Sequence, residues 1–253
     1  VDADSLQDRS ERLTEKSFLG GPRRDFERVG RLGFEVLLRE GLLPSSTVLD
    51  VGCGALRLGY WLMRFLDPGR YCGIEPQQDM LELGLEHLVE PDVVARAEAR
   101  FASNDDFDFS GFGTSFDFVI ARSIWTHASK QQISAMLRSF AATSSPHGVF
   151  LASYYPAGRW FKAGRNWPRL ERGATKLPLS ELSPLISRLP SLQPSNDYVG
   201  EAWVGRSHKS DQPGVVKHSL RWIAPEAAGH GLRTQLTSYP IVNHQYWLRI
   251  TRA

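Results

Sequence analysis

Cysteine is scarce: 253 residues contain only Cys53 and Cys72. Both fall in elements expected to be buried, beside a glycine turn and within a second strand, so they read as reduced apolar fillers and not as a disulfide framework. The tight H-x-x-H or C-x-x-C spacing of a zinc site is missing too. No run is long and apolar enough to span a bilayer, and Val1 to Lys16 is charged with no apolar signal core, so a cytoplasmic location is expected. A formal charge of +2 leaves too little excess of one sign to argue for nucleic acid. Internal repeats and low-complexity tracts are absent. What is present, 42% hydrophobic and 23% charged residues, suits one large α/β domain or one domain with an insertion.

The most informative stretch is Val48-Leu49-Asp50-Val51-Gly52-Cys53-Gly54. Three apolar residues interrupted by Asp50 predict a short buried strand, and the glycines predict a tight turn into an amphipathic segment, Leu56 to Leu66. Gly52 and Gly54 lack a Cβ, so the backbone can adopt positive φ and lie against a ligand, with the N–H groups of a helix start facing the same space. A pyrophosphate fingerprint would be G-x-G-x-x-G, but its third position is Arg57 and the next glycine is Gly59. Asp50 would repel a diphosphate and could hold an ammonium group directly or indirectly. Glu75 ends the apolar run Tyr71 to Ile74, where a carboxylate can accept both hydroxyls of a ribose. An adenosine joined to an amino acid fits both ends. A turn that merely closes a strand–helix unit and a nicotinamide site are the alternatives.

Elsewhere the pattern alternates. Phe26, Val29, Leu32, Val36 and Leu37 recur at helical spacing through Arg39, with Gly41 ending the helix. Arg23, Arg24 and Arg28 at its start read as pocket cations or as a solvated face. Met80 to Leu88 predicts a helix starting at Pro76-Gln77, and a third strand is placed at Ala99 to Ser103 with Asn104-Asp105-Asp106 at its tip. Phe116 to Ala121 reads as a strand buried on both faces, Ile133, Leu137 and Phe140 as one face of a helix, Ser145 to Gly148 as a turn, and Val149 to Tyr154 as a fifth strand. This predicts an α/β fold with a parallel doubly wound sheet. From Pro156 to Lys217 the alternation is lost, and that segment carries ten Lys or Arg against five Asp or Glu together with Trp160, Phe161, Trp167 and Trp203. A short helix is expected from Ala224-Pro225-Glu226 to Gly229, then two strands, Leu232 to Tyr239 and Gln245 to Thr251.

The D-V-G-C-G turn at Asp50 to Gly54, G-I-E-P at Gly73 to Pro76, N-D-D at Asn104 to Asp106 and F-D-F-V-I-A-R-S at Phe116 to Ser123 together resemble a class I S-adenosylmethionine-dependent methyltransferase of the small-molecule type. The likeness covers roughly Ser17 to Tyr155 and resumes in the last thirty or so residues. It implies a Rossmann-like seven-stranded sheet with an insertion after the fifth strand. On that reading residues 1–46 are an arm and flanking helix, 47–155 the SAM-binding α/β core, 156–217 a substrate cap, and 218–253 the remainder of the core with its antiparallel strand pair. It also implies S-adenosylmethionine as cofactor, held by Asp50, Gly52, Gly54, Glu75, Pro76, Gln77, Asp105, Asp106 and Arg122. Asp105 is the first choice, and Asp106 the second, to accept from the adenine amine. Asp105, Asp106 and Asp108 could instead bind Mg²⁺, which the sequence does not require but which would offer a competing, metal-assisted deprotonation of the acceptor.

Methyl transfer from a sulfonium releases a neutral thioether, so positioning supplies much of the acceleration. A hydroxyl acceptor must lose a proton, and His127, just past the fourth strand, is the candidate base; His208, His218 and His244 are rivals, and an ordinary capping or surface histidine is the alternative. Ligands collect outside the carboxyl ends of such strands, so Arg122, Ser123, Trp125 and His127 should rim the pocket. Trp125, Tyr154, Tyr155 and Trp160 are the candidates for the acceptor side. A sugar or glycosylated metabolite suits an aromatic, basic cap, and a small carboxylic acid suits its charge. No N-P-P-Y-type amine motif follows the fourth strand and no basic stripe is concentrated anywhere, so a small-molecule substrate is expected, with no nucleic acid or membrane partner. A homodimer is compatible. The competing classes are a carboxyl methyltransferase, an NAD-dependent oxidoreductase and a non-catalytic protein that keeps the fold as a scaffold.

Overall fold

Strands buried on both faces need to be only a few residues long, and every residue of β1 (Val48–Val51) and β2 (Tyr71–Ile74) is buried. A computed structural model describes residues 5–14, 25–157, 215–240 and 245–253. Within them β1 and β2 join β3 (Arg100–Ala102), β4 (Phe116–Ala121), β5 (Ser144–Tyr154), β6 (Leu232–Leu236) and β7 (Tyr246–Arg252). The seven strands run in the order β3-β2-β1-β4-β5-β7-β6. The first five are parallel, whereas β7 is antiparallel to both neighbours.

Alternate side chains divide between two cores. Leu49, Val51, Val119 and Ala121 face one way, onto α6 (Lys130–Thr143) through Ile133, Leu137 and Phe140 and onto α7 (Leu220–Gly229) through Ile223. Val48, Phe118 and Ile120 face the other, onto α2 (Phe26–Arg39) through Val36 and Leu37 and onto α3 (Gly59–Phe65) through Leu62 and Met63. The fold is thus the three-layer, Rossmann-like seven-stranded sheet expected.

Several boundaries move for local reasons. The helix expected from Leu56 starts at Gly59, because Gly54 and Leu56 both take left-handed φ, 55° and 60°. The turn expected at Ser145 to Gly148 is an irregularity inside β5: Ser144 already pairs with Phe116, and the ladder resumes at Val149 with Phe118. The helix placed from Ala224 begins at Leu220, where Ser219 caps it by accepting the Arg221 N–H, and it continues through Pro225. Sequence periodicity missed α5 (Pro91–Ala97), one short helix with proline in its first turn. The charged arm forms α1 (Leu6–Thr14), with Leu6 packed among Phe26, Ala55, Met80 and Leu88 and Arg9 paired with Glu90 at 3.1 Å.

Two glycines set how closely helices approach the β1–α3 turn. A Cβ on Gly30 of α2 would lie 2.1 Å from the Arg57 carbonyl oxygen. One on Gly84 of α4 (Gln78–His87) would lie 2.7 Å from the carbonyl carbon of Ala55 and 2.8 Å from its oxygen. Gly84→Ala should therefore destabilise the protein by about 1–3 kcal/mol, although alanine is the better helix former, because the atoms in the way are backbone. Urea unfolding checks this; a stabilised variant would contradict it.

Candidate active site at the carboxyl ends of the strands

The turn after β1 is shaped by residues that side chains would obstruct. Gly52 sits at φ 69°, and a Cβ there would fall 2.2 Å from Cδ1 of Ile124, in the turn after β4. Leu56, not a glycine, adopts φ 60° and is fully buried. Burying its side chain contributes roughly 2 kcal/mol, enough to offset a strained backbone of about 1 kcal/mol.

Glu75, directly after β2, anchors this turn. Its Oε2 accepts the Gly54 N–H at 2.9 Å and its Oε1 accepts the Gln77 N–H at 2.9 Å, so one carboxylate joins the glycine turn to the start of α4. Asp50 is buried on β1, where its Oδ2 accepts the Tyr71 hydroxyl at 3.1 Å. Burial pushes the Asp50 carboxyl up to about 7, against the pull of Tyr71; the Glu75 charge pushes the same way and the Arg122 guanidinium opposes it. Burial likewise lowers Arg122 to about 10, while Asp50 and Tyr155 favour its charged form. Arg57 lies 4.5 Å from the centroid of the Phe26 ring and is brought down to about 9, first by burial and then by Arg122. Two acids and two guanidiniums therefore occupy one largely buried neighbourhood.

The turn after β4 closes the other side. Ser123 takes φ 60°, a conformation held by its N–H donating to Ser153 Oγ at 2.7 Å. Gln245 completes the network: its Oε1 accepts from Ser153 Oγ at 2.6 Å, and its Nε2 donates to Ser123 Oγ at 2.8 Å. Thr126 Oγ1 donates to the Ser123 carbonyl at 2.7 Å, and the N–H groups of His127 and Ala128 both donate to that of Ile124 at 3.0 Å. His127 is half-buried on this turn.

Residues 49–150 match the family model described as a methyltransferase domain. Residues 49–150 thus carry a methyltransferase domain, in a sheet of the class I methyltransferase type. Among solved structures of similar fold is magnesium protoporphyrin IX methyltransferase from Synechocystis PCC 6803 with bound SAH, at 18% identity and a TM-score of 0.55, covering 97% of this chain and 93% of that one. The glycopeptide N-methyltransferase MtfA is 14% identical with a TM-score of 0.54, covering 90% and 91%. The O-methyltransferase NcsB1 from neocarzinostatin biosynthesis, in complex with SAH and 1,4-dihydroxy-2-naphthoic acid, is 15% identical with a TM-score of 0.51. That match covers 90% of this chain and 54% of NcsB1.

Of the residues singled out in the sequence, the methyltransferase domain brings Asp50, Gly52, Gly54, Glu75, Gln77 and Arg122 to adjoining strand ends. Pro76 lies between Glu75 and Gln77. Asp105 and Asp106 are exposed beyond β3; Asp106 Oδ1 accepts the Asp108 N–H at 3.0 Å, and Asp108 accepts from Ser110, so Asp106 and Asp108 brace their own loop. Among the described residues no group of three or more His, Cys, Asp or Glu side chains could hold a metal ion. Trp125 was expected on the rim, but it is wholly buried and packs edge-on against Phe150 with ring centroids 5.8 Å apart. Tyr154 is also core, its phenol pushed well up by burial, whereas Tyr155 is half-buried. Arg28 is exposed beside Asp25 at 3.7 Å. Trp160, Arg23, Arg24, His208 and His244 lie outside the described residues. Both cysteines are free and buried, and no described helix is long and apolar enough to cross a membrane. Sequence reasoning missed Tyr71, Ser153 and Gln245. Tyr71 looked like one more apolar strand residue, and Gln245 is 122 residues from the serine it supports.

The Asp50 carboxyl makes a testable contribution to stability. Its pKa in the folded protein, about 7, lies above the ordinary aspartate value of 3.8, so the folded state keeps the proton longer and stability falls as pH rises from about 4 to about 7. The whole effect is on the order of 4 kcal/mol. Asp50→Asn, which can still accept from Tyr71, should leave the ligand-free protein more stable than wild type, by a margin that widens from about pH 5 to about pH 8. Urea unfolding across that range measures it, and a constant margin would mean that Asp50 is not buried with a raised pKa.

Proposed function

We propose that this S-adenosylmethionine-dependent methyltransferase methylates a hydroxyl group on a polar small molecule such as a sugar or glycosylated metabolite. The donor set fits the cofactor. A zwitterionic amino acid bearing a sulfonium asks for acids and a guanidinium together, as at Asp50, Glu75 and Arg122, beside a backbone kept bare at Gly52 and Gly54. In this reading Glu75 accepts from the ribose, Asp50 favours the cationic amino-acid end, Arg122 pairs with its carboxylate, and Gln77, Pro76 and Asp105, with Asp106 second, flank the adenine. When bound, S-adenosylmethionine supplies an electrophilic methyl group with a neutral leaving group. The acceptor's proton remains for the chain to remove, and His127 takes it.

The observation that carries the hydroxyl assignment is the half-buried His127 on the turn directly after β4, the turn whose Ile124 packs against Gly52. Tyr155, beside Arg122, lines the same edge. Trp160 and the basic composition of 156–217 support a polar acceptor, and that composition also supports a small carboxylic acid, the second reading. The reading places the enzyme in the cytoplasm.

Incubating the protein with a metabolite extract and isotopically labelled methyl donor, then identifying the labelled product, tests the proposal; an N-methyl or ester product would reject hydroxyl transfer. Glu75→Gln should weaken S-adenosylmethionine binding in calorimetry by about 1–3 kcal/mol, since an amide cannot offer two anionic oxygens. Unchanged affinity would place the ribose elsewhere. His127→Ala should slow transfer to the labelled acceptor by about 10²–10⁴-fold while sparing donor affinity, and normal turnover would dismiss it as the base.

A further inference from the structure

His218 was a rival for the role of base, but its surroundings suit a different one. Val215 to Ser219 runs along the turn that carries His127. The Val216 N–H donates to the Thr126 carbonyl at 2.8 Å, and His218 Nε2 lies 2.9 Å from the Ala128 carbonyl oxygen. A carbonyl only accepts, so Nε2 carries the proton in this bond. The two bonds grip the carbonyls on either side of His127. The strap's backbone is tied to the end of β5: the His218 N–H donates to the Tyr155 carbonyl and the Ala157 N–H donates to that of His218, both at 2.9 Å. The ring is fully buried, tilted at 39° to Trp222 with centroids 5.9 Å apart. A buried nitrogen that gives its proton to a carbonyl cannot take one from a substrate.

We propose that His218 is a positioning residue, which with Val216 locks the Thr126–Ala128 turn to the end of β5 and so fixes the backbone from which His127 projects. The proposal rests on the reading of His127 as the base. The two are separable, because the lock has a readout that needs no acceptor.

Three variants test it. His218→Leu removes the donor, His218→Asn leaves an amide too short to reach Ala128, and His218→Gln places an amide nitrogen near the Nε2 position. Deuterium exchange at the His127 and Ala128 amides should quicken in the Leu and Asn variants and stay slow in Gln. Methyl transfer from labelled S-adenosylmethionine to the accepting extract fraction should slow about 10- to 100-fold in Leu and Asn, recover most of that in Gln, and leave donor affinity within about twofold throughout. Combining His218→Leu with His127→Ala should be no slower than His127→Ala alone. Unchanged exchange in both Leu and Asn overturns the proposal, as does a Gln variant no better than Leu or a multiplicative loss in the double variant. If Leu fails to fold, the Asn and Gln pair decides. Normal transfer by His127→Ala with quickened exchange in the Asn variant would sink the base assignment while sustaining the lock.

Discussion

A carboxylate buried at the end of β1 with one phenol donor does not hold its charge easily. Tyr71 and Arg122 both favour ionised Asp50, yet burial outweighs them and lifts the group to about 7. A cation placed nearby restores the charge, so affinity for a positively charged ligand is built into a locally unfavourable arrangement. Glu75 is treated in the opposite way, with two backbone N–H groups at 2.9 Å from its oxygens. Those same bonds fix the path of the glycine turn. One acid is therefore left short of counter-charge, while the other is spent on the backbone of the glycine turn.

The two turns that frame this edge share a feature. Each contains a residue other than glycine in the left-handed region, Leu56 in the first and Ser123 in the second. Such strain persists only where the surroundings over-determine it. Leu56 is held by complete burial, and Ser123 by Ser153 Oγ, which accepts its N–H, and by the Gln245 amide nitrogen, which donates to its hydroxyl. The turns also interlock, since the space a Cβ would need at Gly52 is taken by Ile124. A displacement of the turn after β4 would thus be felt at the glycine turn through packing alone.

What could be read from the sequence follows the range of the forces involved. The glycine turn, the acid ending β2, β4 and the face Ile133-Leu137-Phe140 rest on local periodicity and backbone preference, and they lie where periodicity puts them. Boundaries shifted where a short-range cap or strain intervened, as at Ser219 and Leu56. Asp105 and Asp106 show the limit of motif reading: an acidic run at a strand tip can serve a ligand or its own loop, and Asp106 is used for the loop. Trp125 shows another, since proximity to a strand end in sequence says nothing about which face a large side chain takes, and here the core claims it. The roles of Tyr71, Ser153, Gln245 and His218 were not legible, because the partner each acts on lies 21, 30, 122 and 90 residues away and a strand pattern does not reveal it.

The antiparallel strand supplies the last connection. A parallel β7 would enter the sheet at the edge opposite the site and leave it beside β5. Because β7 runs against β5, pairing Tyr246 with Tyr154, it enters at the site edge, and Gln245 lands beyond the end of β5 within reach of both Ser153 and Ser123. Farther along the same strand, Arg249 donates to Glu40 at the end of α2 at 2.8 Å. A single strand thus braces the turn after β4 at one end and the helix that flanks the glycine turn farther down. With β7 running this way, it is the residue just before the strand, Gln245, that stands beside the strained Ser123 next to Arg122.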